Sequence, residues 1–271
     1  MGKYKLLALD LDGTLTKNDK TISRHTLDTL LLAERRGLKI ILASGRPTYG
    51  VAPIADELQM DKFGGYILSF NGGEIYDWKT KEKLYSTSLP PDLIPYLYEC
   101  SKRREDFTIL SYCGNQIVTE APEYPYVMHT AFLNKMPIRQ VPNFIEEVKY
   151  PLPKCLIVGD PEPLHELEIE MAEKLKGKMG VFRSEPFFLE LVPQGIDKAK
   201  CLAILLDKIG MQKEELIACG DGYNDISMIK YAGLGVAMAN AQQVVKDEAD
   251  YITLSNEEDG VAAVVNEFVL L

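Results

Sequence analysis

Tyr4-Lys-Leu-Leu-Ala-Leu-Asp10-Leu-Asp-Gly-Thr14 is the stretch on which the reading of the fold turns. Tyr4 to Leu9 is short and apolar, and Asp-Leu-Asp-Gly stops it, which predicts a buried strand. Two carboxylates then stand two residues apart at the strand's carboxyl end, the edge where open α/β sheets bind ligands. Like charges that close need a counter-charge, and a hard divalent cation supplies one. Gly13 permits a sharp turn and Thr14 presents a hydroxyl. An acidic turn with capping side chains is the plainer reading of these residues taken alone.

Working outward, the same rhythm repeats. Ser23 can cap a helix from His25 to about Arg36, with Gly37 as terminator. Leu38–Ala43 reads as a second strand, and Ser44-Gly-Arg-Pro47 turns into a helix. Tyr66–Phe70 is a third strand, followed by Asn71-Gly-Gly73. Strand, helix, strand, helix, strand predicts a parallel sheet with right-handed crossovers. The pattern then changes. Glu74–Asp77 and Lys83–Ser86 suggest a hairpin. From about Leu89 the sequence reads as helix 92–104, strands 107–112 and 115–119, an irregular Pro-rich stretch 121–142, a helix, strand 154–158, helix 163–175 and strand 179–183. The βαβ rhythm returns with helix Lys198–Ile209, strand Leu216–Cys219, helix Asp225–Ala232, strand Gly235–Ala237 and a final helix from about Glu257 to Phe268. The expected architecture is a doubly wound α/β core, 1–86 with 189–271, carrying an inserted α+β domain, 87–188.

Composition excludes several functions. The 271 residues are 46% apolar and 26% charged, with a formal net charge of −10. That acidity disfavours nucleic acid as a partner, because a phosphate backbone selects clustered Lys and Arg. Cys100, Cys113, Cys155, Cys201 and Cys219 are odd in number and scattered, as expected for reduced, buried thiols in the cytoplasm. The start of the chain carries no signal-peptide pattern, and no apolar stretch is long enough to span a bilayer. His25, His129 and His165 share no motif, which disfavours a histidine mechanism. There is no Walker-type phosphate loop.

Two further strand ends and one helix start carry chemistry. Gly220-Asp-Gly-Tyr-Asn-Asp225 follows an apolar strand, so Asp221 and Asp225 can complete an oxygen-rich magnesium site with support from Asn224; a glycine-rich turn with capping residues is the plainer alternative. Ser44 and the backbone beside it can hold a phosphoryl oxygen, and Arg46 can grip an anion in two-pronged fashion. Lys198 stands at a helix start, where a cation opposes the helix dipole. Balancing a phosphate and carboxylates explains it; an exposed lysine is the plainer alternative.

Taken in order, DLDGT at 10–14, ASGR at 43–46, Lys198 and GDGYND at 220–225 resemble the four motifs of the haloacid dehalogenase (HAD) superfamily. The long insertion between the second and third resembles its Cof-type (YidA-like) sugar-phosphatase branch. Asn71-Gly-Gly73, Val236-Ala-Met-Ala-Asn-Ala241 and Ser255-Asn-Glu-Glu-Asp-Gly260 are supporting matches. The resemblance implies a Rossmann-like core with a mobile cap and a Mg²⁺-dependent phosphatase acting on a small phosphorylated metabolite. Asp10 would attack phosphorus, and Asp12 would serve as acid and then base. Ser44 and Lys198 would hold phosphoryl oxygens. Mg²⁺ would sit on Asp10, the Asp12 carbonyl and Asp221, with Asp225 and Asn224 orienting that shell. Arg46 and Asn71 would reach the substrate from the core. A hexose or pentose phosphate is the branch-level expectation, with flavin or pyridoxal phosphates next. A phosphomannomutase-type phosphotransferase and a non-enzymatic binding protein on the same fold are the rival readings.

Overall fold

The computed structural model describes residues 3–271. Its strands are β1 Leu6–Leu9, β2 Lys39–Ala43, β3 Gly65–Ser69, β4 Glu74–Asp77, β5 Lys83–Ser86, β6 Thr108–Cys113, β7 Gln116–Thr119, β8 Ile138–Gln140, β9 Cys155–Val158, β10 Met179–Glu185, β11 Phe188–Pro193, β12 Leu216–Gly220, β13 Leu234–Ala237 and β14 Tyr251–Ile252. The chain divides into two compact units, one holding the chain up to Tyr85 with Asp197–Leu271, the other Ser86–Ile196.

The first unit is built on an eight-stranded sheet in the order β14-β13-β12-β1-β2-β3-β4-β5. The six strands from β14 to β3 are parallel, and β4 joins β3 antiparallel. All four residues of β1 are buried. Leu7 and Leu9 enter one apolar cluster with the helices Arg24–Arg35, Thr48–Glu57 and Gly260–Val265, while Leu6 and Ala8 enter a second with helix Lys198–Ile209. Burial on both faces is why a central parallel strand reads as an unbroken apolar run. The chain leaves β1 toward β2 on one side and returns through β12 on the other, so the β1/β12 edge is the topological switch point. Ser23 caps the first helix, its hydroxyl accepting from the Thr26 N–H at 3.0 Å.

The second unit is a six-stranded sheet, β10-β11-β9-β6-β7-β8, antiparallel except for β7 with β8. Ile109, Val118, Cys155, Ile157, Leu189 and Leu191 bury one sheet face against Ile94, Leu97, Phe144, Leu164, Leu167 and Met171 of the helical segments. The α/β class and the doubly wound parallel sheet expected from sequence are present.

Several local expectations are corrected. The stretch 121–142 is not irregular: it holds helix Pro125–Asn134 and strand β8. Pro125 stands in the first turn, where no backbone N–H is needed. The amphipathic signal is faint because Met128, Phe132 and Leu133 are exposed. Strand β11 was not expected, yet it lies between β10 and β9. The second unit therefore runs to Ile196, past the expected boundary at 188. The anticipated last helix is a 3₁₀ turn Asn256–Glu258, a helix Gly260–Val265 and a π turn to Leu270, because Asp259 takes a left-handed φ of 61° between the first two. All five cysteines are free, and Cys113 is only half-buried. Among the described residues, no helix is long and apolar enough to cross a membrane.

Candidate active site

The carboxyl ends of β1, β2 and β12 carry the side chains singled out in the sequence. Asp10 follows β1 and Asp221 follows β12. Asp10, Asp221 and Asp225 each offer a carboxylate oxygen, and these oxygens all lie within 4.8 Å of one another. Lys198 stands among them, donating to Asp10 Oδ1 at 2.7 Å and to Asp225 Oδ1 at 2.5 Å. Lys198 and Asp225 are each 1% exposed, so neither charge is relieved by water. The first residue of its helix is thus tied to two carboxylates, while Asp197 caps the same helix by accepting from the Lys200 N–H.

Asp225 is held by three hydrogen bonds from the protein. Its Oδ2 accepts the N–H groups of Asp221 at 3.0 Å and Gly222 at 2.9 Å, and its Oδ1 takes Lys198. It shapes the turn that presents Asp221. Asp221 in turn accepts from the Thr14 hydroxyl at 2.7 Å. The two acidic turns come so close that a Cβ on Gly13, whose φ is +84°, would stand 2.4 Å from Asp221 Oδ2. Only glycine fits there.

The electrostatics follow from this crowding. Burial, reinforced by the Asp225 charge and only partly offset by Lys198, pushes the Asp10 carboxyl up to about 7. Burial likewise pushes Asp221 up to about 6, with the Asp225 charge adding and the Thr14 hydroxyl opposing. Burial works against the Lys198 ammonium, but Asp10 and Asp225 outweigh it and hold its pKa above the ordinary lysine range. Three carboxylates against one cation is an electron-rich, all-oxygen set, the kind that suits a hard divalent ion.

Asp12 faces elsewhere. Arg46 reaches its carboxylate with two bonds, Nε to Oδ2 at 2.9 Å and an Nη to Oδ1 at 2.6 Å. Lys20 adds a third, to Oδ1 at 2.8 Å. Burial opposes ionisation, yet these two cations hold Asp12 below the usual carboxylate range. Asp12 is not among the three clustered carboxylates. Arg46, expected to point at a substrate, is paired with Asp12 in this structure.

Ser44 is buried at the end of β2, and its hydroxyl accepts the Arg46 N–H at 3.2 Å. Phe70 and Asn71 both take left-handed φ, 53° and 56°. This unusual turn lays the Asn71 N–H on the Ser44 carbonyl at 2.9 Å and the Phe70 N–H on the Arg46 carbonyl at 3.0 Å. Asn224 Nδ2 then donates to Asn71 Oδ1 at 3.0 Å. Ser44, Arg46, Asn71 and Asn224 are thereby linked in one chain of contacts.

Two scaffolding residues lay inside the supporting motifs without an assigned part. Asn240 donates to the Gly13 carbonyl at 2.8 Å, and Asn256 donates to the Thr16 carbonyl at 2.9 Å. Asn256 also donates its own N–H to Asn240 Oδ1 at 3.1 Å. Lys20 was missed altogether; its turn, Lys17–Thr21, has ordinary loop composition.

Known proteins share the sequence and the fold. The family model for haloacid dehalogenase-like hydrolases matches residues 7–265. A solved haloacid dehalogenase-like hydrolase from Bacteroides thetaiotaomicron is 57% identical, covers 97% of this chain and 99% of its own, and superposes with a TM-score of 0.94. The Bacillus subtilis 5-amino-6-(5-phospho-D-ribitylamino)uracil phosphatase YcsE is 31% identical over 98% of this chain and 96% of its own length. A solved HAD subclass IIB sugar phosphatase is 25% identical, covers 98% of this chain and 100% of its own, and has a TM-score of 0.81. The chain belongs to the haloacid dehalogenase-like hydrolases and is an enzyme of their phosphatase type.

Proposed function

We propose that this protein is a Mg²⁺-dependent phosphomonoesterase for a small phosphorylated metabolite, with sugar phosphates as the preferred class, working through an aspartyl-phosphate on Asp10. The observation that carries the reading is the buried Asp10 carboxylate at the switch point, held by Lys198 at 2.7 Å beside two further aspartates. A sugar phosphatase among the similar structures supports the substrate class.

Asp10 and Asp221, with the Asp12 backbone carbonyl, would hold the ion, and Asp225 would orient them through the backbone bonds described above. Bound Mg²⁺ would supply positive charge against the phosphoryl dianion, whose approach to a carboxylate is otherwise repelled. Asp10 attacks phosphorus as nucleophile. Lys198 and Ser44 hold phosphoryl oxygens. Asp12 gives a proton to the departing alcohol and takes one from the water that hydrolyses the intermediate. The Lys20 and Arg46 pairing favours the ionised Asp12 that the second step requires, and the proton for the first step is the one Asp12 takes from water at the close of the preceding turnover. Arg46, Asn71 and Asn224, linked to Ser44 by the contacts above, would meet the substrate. The Ser86–Ile196 unit, as a substrate-selecting cap on a catalytic core, belongs to the same proposal.

The test is phosphate release over a metabolite panel, with and without Mg²⁺, after exhaustive dialysis against chelator. Acid quenching during turnover should trap a phosphoryl group on the peptide that holds Asp10, and Asp10→Asn should abolish it. Full turnover in excess chelator, or turnover with no trapped phosphoryl group on that peptide, would refute the reading.

A further inference from the structure

The Asp12 side chain is 40% exposed. Its backbone is well fixed. The chain bridges Asp12 to Thr16, the Thr16 hydroxyl donates to the Leu11 carbonyl at 2.9 Å, and Asn240 holds the next carbonyl, that of Gly13. The side chain is held by hydrogen bonds from other side chains. Its direction is set by three hydrogen bonds from two cations, and those bonds are unevenly shared. Oδ1 takes both an Arg46 Nη at 2.6 Å and Lys20 at 2.8 Å, whereas Oδ2 takes Arg46 Nε alone at 2.9 Å. A carboxylate oxygen has two lone-pair positions. Oδ1 is therefore filled, and the open acceptor position is on Oδ2.

Lys20 reaches Asp12 from an unusual backbone. Its φ is 67°, left-handed for a residue with a Cβ. The turn is closed by the Lys20 N–H on the Lys17 carbonyl and the Lys17 N–H on the Thr21 carbonyl, both at 2.9 Å. Glycine would suit that φ better. The pair is half exposed, Lys20 at 53% and Asp12 at 40%, so it adds little to stability. A side chain on a backbone that disfavours it, in a pair of little structural value, calls for another explanation.

We propose that Lys20 and Arg46 are positioning residues for Asp12, and that Lys20 makes Oδ2 the one oxygen that exchanges a proton with the reacting groups. The proposal rests on the phosphatase reading above. In the hydrolytic step, water oxygen bonds to phosphorus and the P–O bond to Asp10 breaks, its electron pair returning to the Asp10 carboxylate. One water O–H breaks, and its proton goes to Asp12 Oδ2. In the first step an Asp10 oxygen bonds to phosphorus, the P–O bond to the alcohol breaks with its electron pair on the alcohol oxygen, and that oxygen takes from Oδ2 a proton left there by the water of the preceding turnover. Without Lys20, Oδ1 regains an open position beside the Arg46 fork, so either oxygen can meet the reacting groups and the productive one is used for less of the time.

Lys20→Met, Lys20→Gly and Lys20→Arg separate this role from others. With the best sugar phosphate of a panel, Lys20→Met and Lys20→Gly should lower kcat about 10-fold, a part of what general acid–base catalysis contributes, and leave KM within about twofold. Lys20→Arg should restore most of the rate. With p-nitrophenyl phosphate, whose leaving group needs no proton, the first step should be spared in single-turnover measurement and a burst of nitrophenol should precede slow turnover. Lys20→Gly should melt no lower than the parent protein, since it suits the left-handed φ, which excludes a folding defect as the cause of a lower kcat. A raised KM with unchanged kcat would assign Lys20 to substrate binding and overturn the proposal. Unchanged kcat and KM, or equal slowing of the first step for both leaving groups, would overturn it too. Phosphate release by the parent protein decides the phosphatase reading separately: no release from any ester sinks both, whereas release without a Lys20 effect sinks only this one.

Discussion

Replacing Lys198 by methionine keeps the stem and removes one charge from the most crowded point of the molecule. Its ammonium lies 2.7 Å from Asp10 and 2.5 Å from Asp225. At an effective dielectric of about 20, each contact corresponds to roughly 6 kcal/mol of attraction. Most of that offsets the cost of drying three charges, so the net loss is nearer the ~3–5 kcal/mol found when one partner of a buried pair is removed. For a unit of this size that lowers Tm by roughly 6–20 °C. The cost should depend on pH. Asp10 already sits near 7, and without Lys198 it should rise further, so the variant escapes the repulsion by taking up a proton. A carboxyl pKa raised by folding stabilises the native state below its unfolded value near 4 and loses that contribution as pH climbs through the folded value. The deficit of Lys198→Met should therefore be largest near pH 8 and shrink toward pH 5. Scanning fluorimetry across that range, in chelator, reads it directly. Mg²⁺ at 100 times its Kd should return ~2.7 kcal/mol if the aspartates hold the ion. A Tm within 2 °C of the parent at pH 8, or a deficit that does not shrink on acidification, would refute this account of Lys198.

Asp12→Asn should slow the first step on a sugar phosphate by about 10²–10⁴ while sparing it on p-nitrophenyl phosphate, with a nitrophenol burst in stopped flow; equal slowing with no burst would remove Asp12 as the acid. Gly13→Ala places a Cβ 2.4 Å from Asp221 Oδ2 on a backbone whose φ is already left-handed, so it should cost about 1–2 kcal/mol in urea unfolding and more than about 10-fold in turnover; parent-like turnover would show that the Gly13–Asp221 approach is not needed. Glu34 is buried with neither carboxylate oxygen hydrogen-bonded, and burial pushes it up to about 8 despite the nearby Lys39 charge. Its contribution to stability is fully present below pH 4.5 and lost as pH rises through 8. Glu34→Gln should therefore be the more stable protein at pH 9, by roughly 1–3 kcal/mol, and the advantage should fade by pH 6; parallel pH profiles would contradict this.

What could be read from the sequence depended on how local each signal was. β1, β2 and β12 are short apolar runs with sharp ends, because a strand buried on both faces needs apolar residues throughout and a polar turn to stop it. The punctuation at those ends is also where Asp10, Ser44 and Asp221 stand, so their placement at one sheet edge followed from chain order. Helix Pro125–Asn134 and strand β11 gave no such signal. The helix leaves Phe132 80% exposed, which blurs its periodicity, and β11 is apolar enough to pass for the end of another element. Pairing was not legible at all. Nothing in Lys17–Thr21 marks Lys20 as a partner of Asp12, and nothing in Ser44-Gly-Arg46 says that the arginine turns to Asp12. Such contacts depend on side-chain directions that only the assembled turns fix.

The position of β1 also governs the order in which the protein can be made. Its partner β12 begins at Leu216, and the loop that follows β1 is held by Asp221, Asn240 and Asn256. A ribosome adding about 5–20 residues per second needs roughly 10–40 s between these stretches. During that interval the emerged β1 lacks a neighbour on one side. The intervening Ser86–Ile196 segment is contiguous and has its own apolar cluster, so it can collapse while the amino-terminal strand is still waiting. The loop after Asp10 thus stays incompletely held until Asn256 has been added, and a chain truncated before that residue lacks at least one of the contacts that fix it.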